Sequence, residues 1–179
     1  MFNYFVAIEI DIFGFLHQFA SHWPYFDLLL AYIAEGVPYV VVGAIVIIFA
    51  SNKDKTLLYA LVSGILARSV FTQVLKDIFN RPRPSELLHL TTILFEHDPA
   101  FPSGHASFMF ALSFYCLLFG NKKVGFVLLL VALFNGLARV ILGLHWPLDI
   151  VAGIMVGFIS AYLMHLFISR SKKSLVRGD

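Results

Sequence analysis

Five long runs of apolar residues, separated by short polar breaks, dominate the pattern of the chain. A helix that crosses a bilayer needs roughly 20 mainly apolar residues, because lipid offers its backbone groups no hydrogen-bond partners. The pattern therefore predicts five membrane-spanning helices, the third of them short for a span, at residues 28–50, 56–75, 106–120, 124–142 and 148–169.

Residues 1–22 are also apolar, but Glu9, Asp11 and His17 interrupt the pattern. Such a segment either lies in the membrane interface or forms a further, partly buried helix, and we favour a helix. It lacks the basic opening of a secretory signal, so we expect it to be retained. The predicted fold class is all-α: an integral membrane bundle of about six helices, forming a single domain over residues 1–179.

Composition agrees with a membrane setting and excludes several classes of function. Hydrophobic residues make up 59% of the chain and charged residues 13%, unlike the mixture in water-soluble domains. A net charge of +2 without a basic stripe predicts no nucleic-acid partner. Cys116 is the only cysteine, so the chain can form neither an internal disulfide nor a thiolate metal cluster.

Basic residues occupy alternate breaks between the predicted spans, which orients the bundle. Loops on the cytoplasmic side of a membrane are enriched in Lys and Arg. Five successive spans place eight basic residues on one side: Lys53, Lys55, Lys122, Lys123, Arg170, Lys172, Lys173 and Arg177. The long loop 76–105 and the short loop 143–147 then share the extracytoplasmic face of a bacterial-type inner or plasma membrane. Function concentrates in a long loop among short ones.

Four basic residues lie at or near the outer face, where orientation does not explain them: Lys76, Arg81, Arg83 and Arg139. Positive charge held there against the usual bias indicates a bound anion, and the forked guanidinium matches phosphate oxygens. The alternative is ordinary interfacial snorkelling of long side chains. Within the spans, Glu35 either lines a substrate groove or pairs with Arg68 or a backbone group.

A helix should begin at or just after Ser103, since an apolar run starts at Ala106. Ser103 is a candidate N-cap, and Gly104 would let a ligand approach the free N–H groups of the first turn. The alternative is a capped helix with an interfacial His105. Asp149 follows His145 by four residues, one helical turn, and could fix the tautomer of that imidazole. A purely structural pair is the alternative there.

These residues have the order and spacing of three motifs of the type-2 phosphatidic acid phosphatase family, which the chain resembles. The first is Lys76, six residues, Arg83-Pro84; the second is Pro102-Ser103-Gly104-His105; the third is Arg139, five residues, His145, three residues, Asp149. Arg81 does not fit the spacing and is interpreted as a residue of the rim. The third motif usually opens with Ser, whereas this chain has Ala138, so one hydroxyl that could bind phosphate or a neighbouring loop is missing.

The resemblance implies that His145 attacks the terminal phosphorus to form a phosphohistidine. His105 would protonate the departing oxygen and then activate water, while Asp149 orients His145. The resemblance assigns phosphate binding to Lys76, Arg83, Ser103, Gly104 and Arg139. No step requires a metal or another cofactor, and the acidic residues of the loop form no recognisable ligand spacing: Asp77, Glu86, Glu96 and Asp98.

An outer-face site in a small bundle fits a lipid whose phosphate lies at the interface and whose tail stays in the bilayer. Among family members, the chain is most similar to undecaprenyl-diphosphate phosphatases. Phosphatidylglycerophosphate, phosphatidate and the 1-phosphate of lipid A are alternative substrates. An anion transporter is a remote alternative, because few charges lie within the spans. The expected partners are the bilayer and this lipid, and the oligomeric state stays open.

Overall fold

Six long helices form a bundle in the computed structural model, which describes the backbone of residues 2–20 and 22–177 and the side chains of residues 7–20 and 22–171. A short helix, α6, lies in the loop before α7. The helices are α1 (Phe2–His17), α2 (Pro24–Ala31), α3 (Val37–Asn52), α4 (Lys55–Leu66), α5 (Thr72–Phe79), α6 (Pro84–Leu87), α7 (Gly104–Phe119), α8 (Lys122–Ile141) and α9 (Pro147–Arg177).

Two of the six long helices contain a π-helical turn, which holds more residues than an α-helical turn. Tyr32–Gly36 joins α2 to α3, and Ala67–Phe71 joins α4 to α5, so that each pair runs on without a break. A Cβ at Gly36 would lie 2.9 Å from the ring of Tyr32, so the first of these turns packs its aromatic ring against a glycine. Turns of this kind often occur at functional sites.

Helix α7 is the centre of the bundle and packs against α4, α8 and α9. Glycines of α9 allow a close approach, since a Cβ at Gly157 would lie 2.8 Å from the backbone nitrogen of Ala111. Small residues let apolar helices pack backbone to backbone in this way. The side chains of Met109, Phe110 and Leu112 are fully enclosed in the main apolar cluster.

The all-helical fold class is confirmed, with one difference in the spans. Among the described residues, four helical segments are long and apolar enough to cross a membrane: Pro24–Asn52, Lys55–Leu87, Lys122–Ile141 and Pro147–Ser171. The third predicted span, α7, has only 16 residues and lies mostly inside the bundle. Its apolar pattern therefore reflects burial by protein as much as contact with lipid.

The predicted loop 76–105 is shorter in the structure, because α5 extends to Phe79 and α6 occupies Pro84–Leu87. Asn80 ends α5 in a left-handed conformation, with φ of 37°. Residues 88–103 then fold over the end of the bundle where α7 begins, between α6 and the start of α7. The predicted sixth helix is α1, which buries Glu9 and Phe13 and leaves most of its other described side chains exposed.

Candidate active site

A polar cavity of about 680 Å³ opens at the end of the bundle where α7 begins. Both π-helical turns contribute to its wall, through Glu35 and Arg68, and the loop 88–103 closes one side. Its lining residues are Glu35, Arg68, Ser69, Thr72, Gln73, Lys76, Leu94, Phe95, Glu96, Asp98, Gly104, His105 and His145. Glu35 therefore lines a groove, as one of the two sequence interpretations expects.

Arg83 connects two of the predicted motifs directly. Its side chain is buried, and Nη1 donates to the carbonyl oxygen of Leu144 at 2.7 Å and lies 3.2 Å from Nε2 of His145. Nε donates to the backbone carbonyl of Asp98 at 2.8 Å, and Nη2 donates to its carboxylate at 2.8 Å. The guanidinium thus holds the loop and the imidazole of His145 together.

Arg139 is fully buried at the end of α8. Its Nη1 donates to the carbonyl oxygen of Ala34 at 3.0 Å and lies 3.7 Å from the carboxylate of Glu35. Its Nη2 donates to the carboxylate of Glu96. The guanidinium of Arg139 therefore binds both the π-helical turn Tyr32–Gly36 and the loop 88–103.

The carboxylate of Glu96 lies at the centre of the predicted phosphate-handling residues. One oxygen is 2.5 Å from Nη1 of Arg83 and 3.7 Å from Nε2 of His145. The other contacts Arg139 and lies 3.8 Å from Nδ1 of His105. Two guanidinium groups and two imidazoles from all three motifs thus surround a single anion, which is the carboxylate of the protein's own Glu96.

Lys76 and Asp98 form a second ion pair at the same end of the bundle. Lys76 is buried on α5, whereas the carboxylate of Asp98 is half exposed on the loop. Burial alone would raise the pKa of Asp98, but its hydrogen bond to Lys76 and the charges of Lys76 and Arg83 hold that pKa below its usual value. Asp98 thus stays ionised and its single charge is shared between the two cations.

The imidazole of His145 is buried in the turn between α8 and α9. Nδ1 faces Asp149 at 3.5 Å, and Nε2 faces Glu96 and Arg83. Burial, followed by the positive charges of Arg139, Arg83 and Lys76, lowers the pKa of His145 well below its usual value. The ring is therefore neutral near pH 7, with Nε2 directed at the anion position.

Asp149 lies in the first turn of α9 and is fully buried. Its Oδ2 accepts a hydrogen bond from the backbone N–H of Trp146 at 2.8 Å, which is one of the two bonds of a capping box. Its Oδ1 accepts from Nη1 of Arg81 at 2.9 Å. The interpretation of Arg81 as a residue of the rim is therefore wrong, because its guanidinium lies behind the site, bonded to Asp149.

Ser103 caps α7 as predicted, with its Oγ accepting from the N–H of Ala106 at 3.4 Å. Its own N–H donates to the carbonyl oxygen of Asp149 at 3.0 Å, which joins the second motif to the third. Gly104 and His105 face the cavity, and Nε2 of His105 lies 3.5 Å from Glu35. The capping hydroxyl of Ser103 does not line the cavity among the described residues.

Ala138 occupies an apolar environment. It is buried in a cluster of aliphatic side chains: Ala20, Leu30, Ala31, Ala34, Ile141, Leu142 and Leu144. Among the residues with described side chains, those lining the cavity do not include Ala138. The missing hydroxyl of the third motif therefore corresponds to a position that the bundle fills with apolar packing.

Sequence reasoning missed three acidic residues of this region, namely Glu96, Asp98 and Glu9. Glu96 and Asp98 lie in the loop but form no recognisable ligand spacing, and Glu9 lies far from that loop in the chain. Glu35, Glu96 and His105 bring one potential metal ligand atom each within 4.8 Å of one another. Arg139 contacts both of these carboxylates and Arg83 contacts Glu96, so the two acids already have cationic partners. Metal independence stays a prediction.

Residues 56–173 match the model of the PAP2 superfamily. The chain is 30% identical over 165 residues to "Undecaprenyl-diphosphatase BcrC" of Bacillus subtilis, covering 89% of this chain and 84% of that protein. It is 27% identical over 162 residues to "Bacitracin transport permease protein BcrC" of Bacillus licheniformis, with coverage of 88% and 79%. A transmembrane PAP2-type phosphatidylglycerolphosphate phosphatase from Bacillus subtilis has a similar fold, with a TM-score of 0.71, 21% identity and coverage of 94% and 88%.

Proposed function

Because the chain belongs to the PAP2 superfamily, we propose that it is a membrane phosphatase that removes the terminal phosphate of a lipid phosphate or diphosphate. Undecaprenyl diphosphate, converted to undecaprenyl phosphate, is the favoured substrate, as the name of the Bacillus subtilis relative suggests. The chain acts as a single membrane-embedded domain in a bacterial-type inner or plasma membrane, with its site on the extracytoplasmic face.

The constellation around Glu96 is the observation that carries this proposal. Its carboxylate oxygens stand in for two phosphate oxygens, because they contact Arg83 and Arg139 and lie within 4 Å of His105 and His145. Guanidinium groups bind phosphate oxygens in the same forked geometry that they use for carboxylates. A phosphate in place of this carboxylate would meet two cations and an imidazole nitrogen suitable for attack.

An apolar groove beside the cavity supports a lipid substrate. It has a volume of about 680 Å³ and shares Glu35 and Leu94 with the polar cavity. The remaining lining is mainly apolar and comes from α2, the adjoining π-helical turn and the loop: Tyr25, Leu28, Leu29, Ala31, Tyr32, Gly36 and Ile93. A substrate with its phosphate in the cavity could therefore lay its tail along this groove towards the lipid.

The geometry suggests which atoms react. Nε2 of His145 attacks phosphorus, since this nitrogen faces the anion position while Nδ1 faces Asp149. The phosphorus–oxygen bond to the leaving group breaks, and His105 donates a proton to that oxygen. Water, deprotonated by His105, then attacks the phosphohistidine, which releases inorganic phosphate and restores neutral His145. Arg83, Arg139 and Lys76 stabilise the charge on the phosphate oxygens, together with the backbone amide of Gly104, because the amide of Ser103 already donates to Asp149.

Transport across the membrane is the rival function, and the Bacillus licheniformis relative is named as a bacitracin transport permease. A transporter needs a polar path across the membrane. Inward from His105, α7 presents Met109, Phe110 and Leu112, which are buried in the apolar cluster that fills the described centre of the bundle. This packing favours an enzyme that works at one face.

Phosphate release from detergent-solubilised lipids tests the proposal. The panel contains undecaprenyl diphosphate, phosphatidylglycerophosphate, phosphatidate and lipid A 1-phosphate, each with and without chelator. We expect release by the wild type that is lost by at least about a thousandfold in His145→Ala, because the nucleophile is removed. His97→Ala is the matched control, since this histidine is exposed on the same loop as Glu96. Absence of release from every lipid would refute the proposal, and the preferred lipid identifies the substrate.

A further inference from the structure

Glu9 is a buried carboxylate on a helix whose neighbouring side chains face outward. It is 5% exposed, whereas the side chains beside it, Ile8, Ile10 and Asp11, are exposed. Burying a carboxylate is costly unless donors surround it. The two donors that bind Glu9 lie far from this residue in the chain, one between the residues of the third motif and the other between those of the first.

Each oxygen of Glu9 has a separate partner. Oε2 accepts from Nη2 of Arg81 at 2.6 Å, and Oε1 accepts from the backbone N–H of Leu148 at 3.1 Å. Leu148 is the second residue of α9, directly after Pro147, which has no N–H to satisfy. Glu9 therefore caps the helix that carries Asp149, from a different part of the chain.

Arg81 transmits this contact to the proposed nucleophile. Its two terminal nitrogens each bind one carboxylate, Nη2 that of Glu9 and Nη1 that of Asp149. Its guanidinium also lies over the ring of Trp146, at 5.4 Å from the centroid. Asp149 in turn faces Nδ1 of His145 at 3.5 Å. Hydrogen bonds thus run from Glu9 through Arg81 to Asp149, whose carboxylate lies beside the imidazole without a hydrogen bond to Nδ1.

We propose that Glu9 and Arg81 are positioning residues, which hold the first turn of α9 and Asp149 so that Nε2 of His145 points at phosphorus. The inference rests on the proposed phosphatase reaction. Glu9 lies outside the residues 56–173 that match the family model, so the N-terminal helix completes a site whose reacting groups all come from the matched part. Neither residue lines the cavity among the described residues, and the ion pairs of Arg81 go to Glu9 and Asp149 and not to Glu96, whose carboxylate marks the anion position.

Steady-state kinetics on purified full-length protein test this role. In Glu9→Gln the side chain keeps its size, but its charge is lost and its hydrogen bond to Arg81 is weakened. We expect kcat to fall about tenfold while KM stays within about twofold, because positioning affects the reacting nitrogen and not the binding of phosphate. Asp11→Asn, an exposed acid on the same helix, is the matched control with unchanged kcat. Glu9→Asp, which retains the charge, should recover part of kcat.

A double variant separates positioning from general destabilisation. If Glu9 acts through Arg81, adding Glu9→Gln to Arg81→Gln lowers kcat by less than about twofold further, since the route is already broken. A full tenfold further loss, an effect confined to KM, or an equal effect in Asp11→Asn would overturn the role. An inactive wild type refutes the phosphatase function and this role with it, whereas an active wild type with an unchanged Glu9→Gln refutes the role alone.

Discussion

In the proposed reaction a phosphate replaces Glu96 between Arg83 and Arg139, and this displacement sets a measurable penalty in binding free energy. In the structure its carboxylate contacts both Arg83 and Arg139. Glu96→Gln preserves the shape of the side chain but replaces one oxygen by an amide that repels the guanidinium groups. We therefore expect the Gln side chain to leave the anion position more readily, so that the variant protein binds phosphate-bearing ligands more tightly.

The magnitude follows from the contacts that Glu96 makes. A hydrogen bond to a charged group contributes about 1.5–3 kcal/mol, and Glu96 is only 19% exposed, so solvent screens it little. Each 1.4 kcal/mol corresponds to about a factor of ten in binding. The apparent affinity for substrate is proportional to the fraction of molecules in which Glu96 has left the anion position. Weakening one such contact raises that fraction and should lower KM by about 10- to 100-fold. We expect kcat to change by less than about threefold.

The assay is phosphate release as a function of lipid concentration, together with competitive inhibition by inorganic phosphate. The inhibition constant for phosphate should fall by the same factor as KM, because both ligands displace the same carboxylate. His97→Ala, next to Glu96 in the loop, should change neither constant. An unchanged or higher KM in folded Glu96→Gln would refute the displacement, and a loss of kcat with unchanged KM would assign Glu96 to proton transfer instead.

Three further predictions concern the third motif, pH and metals. Ala138→Ser should raise kcat/KM by less than about threefold and slightly lower the melting temperature, since the hydroxyl enters an apolar cluster; a tenfold gain in activity would contradict this. The acidic limb of the wild-type kcat/KM profile should lie below the usual histidine pKa of about 6.5, because the pKa of His145 is lowered. Arg83→Gln removes a positive charge, which raises that pKa and moves the limb to higher pH; a downward shift would be inconsistent with the geometry. Chelator should leave turnover by the wild type unchanged, and a loss that divalent cation restores would show a metal requirement.

The hydrophobic pattern was sufficient to predict the fold class, because lipid and the helical period leave few alternatives. It could not show that α7 is enclosed by protein, since an apolar stretch looks the same against lipid as against α8 and α9. The short length of this helix, 16 residues, was the only indication that protein encloses it. The start of α7 at Ser103 was predictable from capping chemistry, which depends on neighbouring residues alone.

The convergence of Lys76, Arg83, His105, Arg139 and His145 was anticipated through the spacing of motifs and the sidedness of the loops. Their roles in catalysis stay predictions. The acids that pair with these cations were not anticipated, since such pairs depend on how distant segments fold onto one another. Glu96 lies 43 residues from Arg139 and Glu9 lies 72 residues from Arg81 in the chain.

The π-helical turn Tyr32–Gly36 also sets the rotational register between the two halves of one long helix. Residues of the apolar groove precede it on α2, and Glu35 within it borders the polar cavity. Deleting a single residue from this turn would rotate α2 by roughly 100° about its axis relative to α3. Tyr25 and Leu29 would then turn away from Glu35. The one additional residue of this turn therefore keeps the apolar groove next to the polar cavity.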